Sequence, residues 1–162
     1  MSTYLLATKL HIPPPRPALV SRPHLIERLN AGLDGKLTLV CAPAGFGKTT
    51  LVSTWLQDVC EPVAWLSLDE DDNDPVRFVT YLVAALQQLS PSIGPGVQVM
   101  LQSSSISAPE ALIGSLINDL AAMSEPFILV LDDYHLIKTP VIEQALAFFL
   151  NGSTLVYILL PS

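Results

Sequence analysis

Leu37-Thr38-Leu39-Val40-Cys41-Ala42-Pro43-Ala44-Gly45-Phe46-Gly47-Lys48-Thr49-Thr50 is the stretch that decides the fold of this chain. Its first five residues are an apolar run of strand length, and residues 48–59 carry Leu51, Val52, Trp55 and Leu56 at helical spacing. A glycine-bearing loop between a buried strand and a helix is the context that a phosphate-cradling loop requires. Gly45 and Gly47 let the backbone curl, so that successive N–H groups and the helix N-terminus face the β- and γ-phosphates of a nucleotide. Lys48 adds a point charge, and the Thr49 hydroxyl is placed to meet magnesium. The first position of the motif, where glycine is usual, holds the small residue Ala42. An ordinary glycine-rich turn with an exposed lysine is the competing reading.

A second stretch completes the first. Phe127-Ile128-Leu129-Val130-Leu131-Asp132-Asp133 is an apolar strand that delivers two carboxylates at its carboxyl end, where ligands of open α/β sheets collect. This is the form of a Walker B segment: Asp132 would hold magnesium, through water, and Asp133 would orient or deprotonate the attacking water. Two aspartates capping a helix would look the same in isolation. A phosphate loop, however, needs a carboxylate to complete magnesium coordination, and this one arrives about eighty residues later from another strand.

Working outward, residues 12–23 are rich in proline and read as an extended lead-in. Ser21 is placed to cap a helix from Pro23 that carries Leu25, Ile26 and Leu29 and stops at Gly32. Residues 63–68 form the second strand, and Asp74-Pro75 starts a helix with Val79, Leu82, Val83 and Leu86 along its buried stripe. Residues 90–108 read as a loop, 109–123 as a helix, 140–150 as a helix and 155–160 as the last strand. Alternating strands and helices without repeats predict a doubly wound parallel sheet of the α/β class.

Composition agrees with that class. Half of the 162 residues are hydrophobic and 14% are charged, which suits strands covered on both faces. The net charge of -7 argues against a broad DNA- or RNA-binding surface. Cys41 and Cys60 sit at no metal-ligand spacing in apolar surroundings and read as core residues in a reducing compartment. With no leader-like start and no long apolar run, a cytoplasmic protein that does not enter a membrane is expected. The acidic run Asp69-Glu70-Asp71-Asp72-Asn73-Asp74 fails as a calcium loop, because Asp74 stands where glycine is needed and Thr80 where the bidentate glutamate belongs. It reads as a solvated loop ending in a helix cap. His11, His24 and His135 are scattered, and only His135 lies near the proposed chemistry.

Four segments resemble the MalT-like, LuxR-type transcriptional regulators, whose N-terminal NTPase is of the signal-transduction (STAND) class. They are residues 6–10 through Arg22-Pro23, the loop 42–50, the stretch 65–69 with 72–78, and Asp132-Asp133-Tyr134-His135-Leu136-Ile137. The resemblance implies ATP and Mg²⁺ as ligands, with Val20 and Arg22 near the adenine, Ala42 to Thr50 around the phosphates, Thr49 and Asp132 at the metal, and Lys48 and Asp133 at the chemistry. It implies a lead-in over residues 1–23 and a P-loop NTPase core over 24–162, with strand order 5-1-4-3-2. Where the family places a polar residue and an arginine, this chain has Leu159, Leu160 and Pro161, so a γ-phosphate sensor is missing. The fifth strand, the lid and the DNA-binding helices are also expected to be missing, which makes the core C-terminally incomplete and the first strand an edge. The expected output is a nucleotide switch with weak or no hydrolysis. Its partners would be ATP, itself or a full-length homologue, with DNA reached only through other domains; the alternative is a non-catalytic scaffold that pairs through the exposed sheet edge.

Overall fold

The computed structural model describes residues 5–14, 22–43, 45, 47–103, 109–123, 125–149 and 154–160. Four strands, β1 (Leu37–Cys41), β2 (Val63–Ser67), β3 (Phe127–Asp132) and β4 (Thr154–Leu160), form one parallel sheet in the order β1-β4-β3-β2. Strands 1, 4, 3 and 2 stand in the expected relative order. Among the described residues, β1 therefore forms one edge and β2 the other.

Helices cover both faces. On one face, α1 (Pro23–Ala31) and α2 (Lys48–Leu56) bury Leu29, Val52, Trp55 and Leu56 against Trp65, Ile128, Val130, Tyr157 and Leu159. The other face packs Leu66, Leu129, Leu131, Val156 and Ile158 against α3 (Pro75–Gln87), α4 (Pro95–Gln102), α5 (Pro109–Ala121) and α6 (Pro140–Phe149). All six β3 residues are buried, as a central parallel strand requires. Polar side chains tie α1 to its neighbours: Trp55 Nε1 in α2 donates to Asn30 Oδ1 at 2.7 Å, and Tyr157 Oη in β4 to the Leu29 carbonyl at 2.9 Å. Gly32 follows α1 because nothing larger fits. A Cβ there would lie 2.2 Å from Thr38 Oγ1 and 2.8 Å from the Tyr157 hydroxyl.

Several expectations need correction. The loop expected at 90–108 contains α4, which starts with Gly94 at φ 92° and Pro95 in its first turn and buries Val97. Cys41 and Cys60 are exposed rather than core residues. Cys41 shares with Leu37 and Leu39 the exposed face of the edge strand β1, and those two leucines stay 43% and 54% exposed. The lead-in is not extended throughout, for Ala7–Lys9 forms a 3-10 turn lying against β2, and Leu10 enters the core. Ser21 and Pro161 lie outside the described residues.

The acidic run is likewise not wholly solvated. It forms a 3-10 turn, Glu70–Asn73, capped by Asp69, and Asp72 is fully buried. Lys9, itself 7% exposed, bonds Asp72 and lies 2.9 Å from Asp69 Oδ2, while Arg77 Nε donates to Asp72 Oδ1 at 3.1 Å. Both cations lie over the Tyr81 ring. Asp74 caps α3 as expected, accepting from the Val76 N–H at 3.2 Å.

Candidate phosphate and metal site

Parallel strands bring their carboxyl ends to one rim of the sheet, so the loop after β1 and the carboxylates at the end of β3 meet there although β4 runs between them. Gly45 and Gly47 adopt φ of 86° and 78°, values that carry a steric penalty for any residue with a Cβ. A Cβ at either position would meet nothing within 4 Å. The glycines are thus required for backbone curvature, and the space beside them is open. Gly47 is the N-cap of α2, whose first-turn N–H groups face outward with the positive end of the helix dipole.

Lys48 folds back over this loop and donates from Nζ to the Ala42 carbonyl at 2.6 Å. The next residue, Thr49, donates from Oγ1 to Asp132 Oδ2 at 3.0 Å. The other carboxylate oxygen of Asp132 accepts from the Asp133 N–H at 2.9 Å. Asp132 is 8% exposed, and burial, followed by the neighbouring charge of Asp133, raises its pKa above the ordinary carboxylate value. The Thr49 hydroxyl, the Asp133 N–H and the Lys48 charge oppose that shift without cancelling it. An added cation at this point would relieve the cost of the buried charge.

Asp133 is exposed and sits in the left-handed region at φ 59°, alone among the described non-glycine residues. That conformation turns the chain sharply out of β3 and is held by the Leu136 N–H bond to the Asp133 carbonyl at 3.1 Å. His135 is exposed. Pro43 is exposed and Ala42 and Thr50 are half-buried. Ala44, Phe46 and Val20 lie outside the described residues. Arg22, exposed, is the N-cap of α1 and contributes no side-chain cap.

A hydroxyl and a carboxylate oxygen are hard donors of the kind that magnesium takes, with phosphate oxygens and waters filling its remaining positions. Among the described residues no group of three or more His, Cys, Asp or Glu side chains could hold a metal, so a cation here would depend on such non-protein ligands. Alongside, α1, β1 and α2 enclose a mainly apolar cavity of about 290 Å³, lined by residues including Leu25, Leu29, Leu39, Cys41 and Leu51. No helix among the described residues is long and apolar enough to cross a membrane.

Two groups near the site escaped the sequence reading. Asn73 bonds the segment after Asp133, and the Lys9–Asp72–Arg77 cluster holds the turn that carries Asn73. Their residues fall in the segments 6–10 and 72–78 that carry the resemblance, but nothing in the sequence pairs those segments with each other or with residues 136–139.

Comparison with known proteins agrees with this geometry. The AAA ATPase domain family matches residues 19–160. Over 147 residues, 91% of this chain, the sequence is 42% identical to the HTH-type transcriptional regulator MalT of Cronobacter sakazakii and 39% identical to that of Klebsiella pneumoniae. The chain spans 16% of the length of these relatives. Among solved structures, a Walker-type ATPase of Pyrococcus abyssi superposes with a TM-score of 0.54 at 14% identity, covering 90% of this chain and 46% of the other, a likeness of fold. With its parallel sheet, its glycine-bearing loop and its strand-end carboxylate, the chain belongs to the AAA ATPase domain family.

Proposed function

We propose that this chain binds ATP with magnesium and serves as the nucleotide switch of a MalT-like signal-transduction ATPase, with weak or no hydrolysis. The observation that carries the reading is the 3.0 Å approach of Thr49 and Asp132 beneath a loop curled by two left-handed glycines. In this reading Lys48 exchanges the Ala42 carbonyl for phosphate oxygens, and the N–H groups between Gly45 and Thr49 receive the β- and γ-phosphates. Thr49 and Asp132 hold the magnesium, which when bound neutralises phosphate charge. Asp133 orients the attacking water.

Low turnover is supported by the end of β4. It carries Leu159, buried against the α1–α2 face, and Leu160, where a charged group would be needed to sense the γ-phosphate. The apolar cavity between α1, β1 and α2 supports placing the adenine near the lead-in, with Val20 and Arg22. Any contact with DNA would be made by domains beyond this chain, as its net charge of -7 suggests and as the HTH-type character of its relatives fits. The switch would act inside the cytoplasm, by self-association or by association with a full-length homologue.

Titration with ATP, with and without magnesium, tests the reading. Magnesium-dependent binding that Lys48→Ala weakens by about 10- to 100-fold, as expected for loss of a charge-assisted bond, supports it. Equal binding by both proteins, or none by either, would falsify it. The place of β1 at one edge of the described sheet, with Leu37 and Leu39 exposed, favours a second reading in which the fold is a scaffold pairing through this edge. Association that light scattering finds indifferent to ATP would favour that reading.

A further inference from the structure

The turn after β2 reaches across to the loop after β3 through one side chain. Asn73 Nδ2 donates to the Leu136 carbonyl at 2.8 Å and the Glu70 carbonyl at 2.9 Å. Its Oδ1 accepts from the Lys138 N–H at 2.7 Å, and the single proton of the Thr139 hydroxyl is shared between the Asn73 carbonyl at 2.9 Å and Oδ1 at 3.0 Å. Both amide protons are used, and the Lys138 N–H, which can only donate, fixes which end faces it. An aspartate of the same shape would present an acceptor to the Leu136 carbonyl. The acidic run therefore holds an asparagine where only an amide satisfies both neighbours.

The Leu136 backbone passes the constraint on. Its carbonyl is held by Asn73, and its N–H donates to the Asp133 carbonyl at 3.1 Å. The Asp133 N–H donates to Asp132 Oδ1 at 2.9 Å, and Asp132 Oδ2 accepts from Thr49 at 3.0 Å. Hydrogen bonds joined through the backbones of Leu136 and Asp133 thus link Asn73 to the Thr49–Asp132 pair. The link passes through the one non-glycine residue of the described chain in a left-handed conformation, which needs its surroundings to hold it. Behind Asn73, the turn is anchored by buried Asp72 with Lys9 and Arg77.

We propose that Asn73 is a positioning residue for the metal-side carboxylates: by clamping residues 136–139 it holds the Asp133 turn, and through it the orientation of Asp132 toward a divalent cation. The proposal rests on the ATP and magnesium reading above. Groups behind metal ligands set ligand orientation in this way, and their loss commonly costs about 10-fold or more in metal affinity.

The test uses the full chain, with Asn73→Asp, which keeps the acceptor for Lys138 and loses the donor for Leu136, and Asn73→Ala, which loses both. ATP affinity is measured with magnesium and with magnesium chelated, on protein shown to be folded by circular dichroism. The expected result is wild-type affinity for magnesium-free ATP in at least one variant, with the magnesium-dependent gain reduced about 10-fold. A gain equal to wild type in either variant overturns the proposal. So does loss of magnesium-free binding in both, since Asn73 would then be merely structural. A wild-type chain that shows no magnesium-dependent binding overturns the ATP reading itself and this inference with it.

Discussion

Thr49 and Asp132, 83 residues apart in sequence, meet at 3.0 Å on the rim of the sheet, and the hydroxyl donates to a carboxylate that is 8% exposed. The buried charge is held there at a cost, because burial and Asp133 together outweigh the bonds that favour ionisation.

Replacing Asp132 with Asn should relieve that cost while keeping the side chain's shape. The nucleotide-free variant is expected to melt about 2–4 °C higher, corresponding to about 1 kcal/mol. Its stabilisation by magnesium with ATP should disappear. Thermal melts with and without the ligands check both halves, and an unchanged ligand effect would contradict the role given to Asp132.

The same residue sets a pH dependence. Its folded pKa is raised above 3.8, so the folded chain takes up this proton before the unfolded chain does, and acidification through that pKa stabilises the fold through Asp132. Magnesium needs the ionised form, so the magnesium-dependent gain in ATP affinity should fall in the same interval, above pH 3.8. Asp69 behaves in the opposite sense. Burial raises its pKa, but the hydrogen bond and charge of Lys9, with the Asp71 N–H and Arg77, bring it below 3.8, so its contribution persists above that pH and is lost as pH falls through the lowered value. ATP titrations at stepped pH should therefore show magnesium dependence fading before the Lys9 contact is lost; dependence undiminished down to pH 3.8 would refute the assignment.

Lys9 carries the attachment of the lead-in. Lys9→Met keeps most of the stem but leaves the fully buried Asp72 with Arg77 as its remaining cation. Breaking a buried pair of this kind should destabilise the chain by about 3 kcal/mol, read from urea unfolding. A loss under about 1 kcal/mol would mean that solvent reaches Asp72 more freely than its burial implies.

Tyr157 joins the sheet to α1. Its phenol is pushed up to about 12, chiefly by burial and also by the charge of Glu61, against a lowering hydrogen bond with Thr38. Stability drawn from this group is complete below pH 10 and lost as pH rises toward about 12. Tyr157→Phe should cost about 1 kcal/mol by removing the buried hydroxyl bond to the Leu29 carbonyl, and ultraviolet titration should find one phenol missing from the alkaline range.

The sheet was legible because each strand is a short apolar run bounded by turn formers, and the loop after β1 because its glycines and Lys48 stand at fixed spacing. The helix α4 was not legible, since Gly94, Pro95 and Gly96 read as turn residues although proline is at home in a first helical turn. The apolar run Leu37–Cys41 marks a strand but not which of its residues face solvent, so the exposure of Cys41 is not legible in it. The burial of Asp72 is decided by Lys9, 63 residues away, and the clamp of Asn73 by Leu136, also 63 residues away. No local pattern announces either.

The central claim, that the loop after β1 and the end of β3 together receive ATP and magnesium, is tested most directly by backbone amide chemical shifts of the labelled chain on addition of the two ligands. The account predicts the largest changes at Gly45, Gly47, Lys48 and Thr49, with a magnesium-dependent component at Asp132 and Asp133. Changes centred elsewhere, or the same changes in Lys48→Ala at equal ligand concentration, would contradict it.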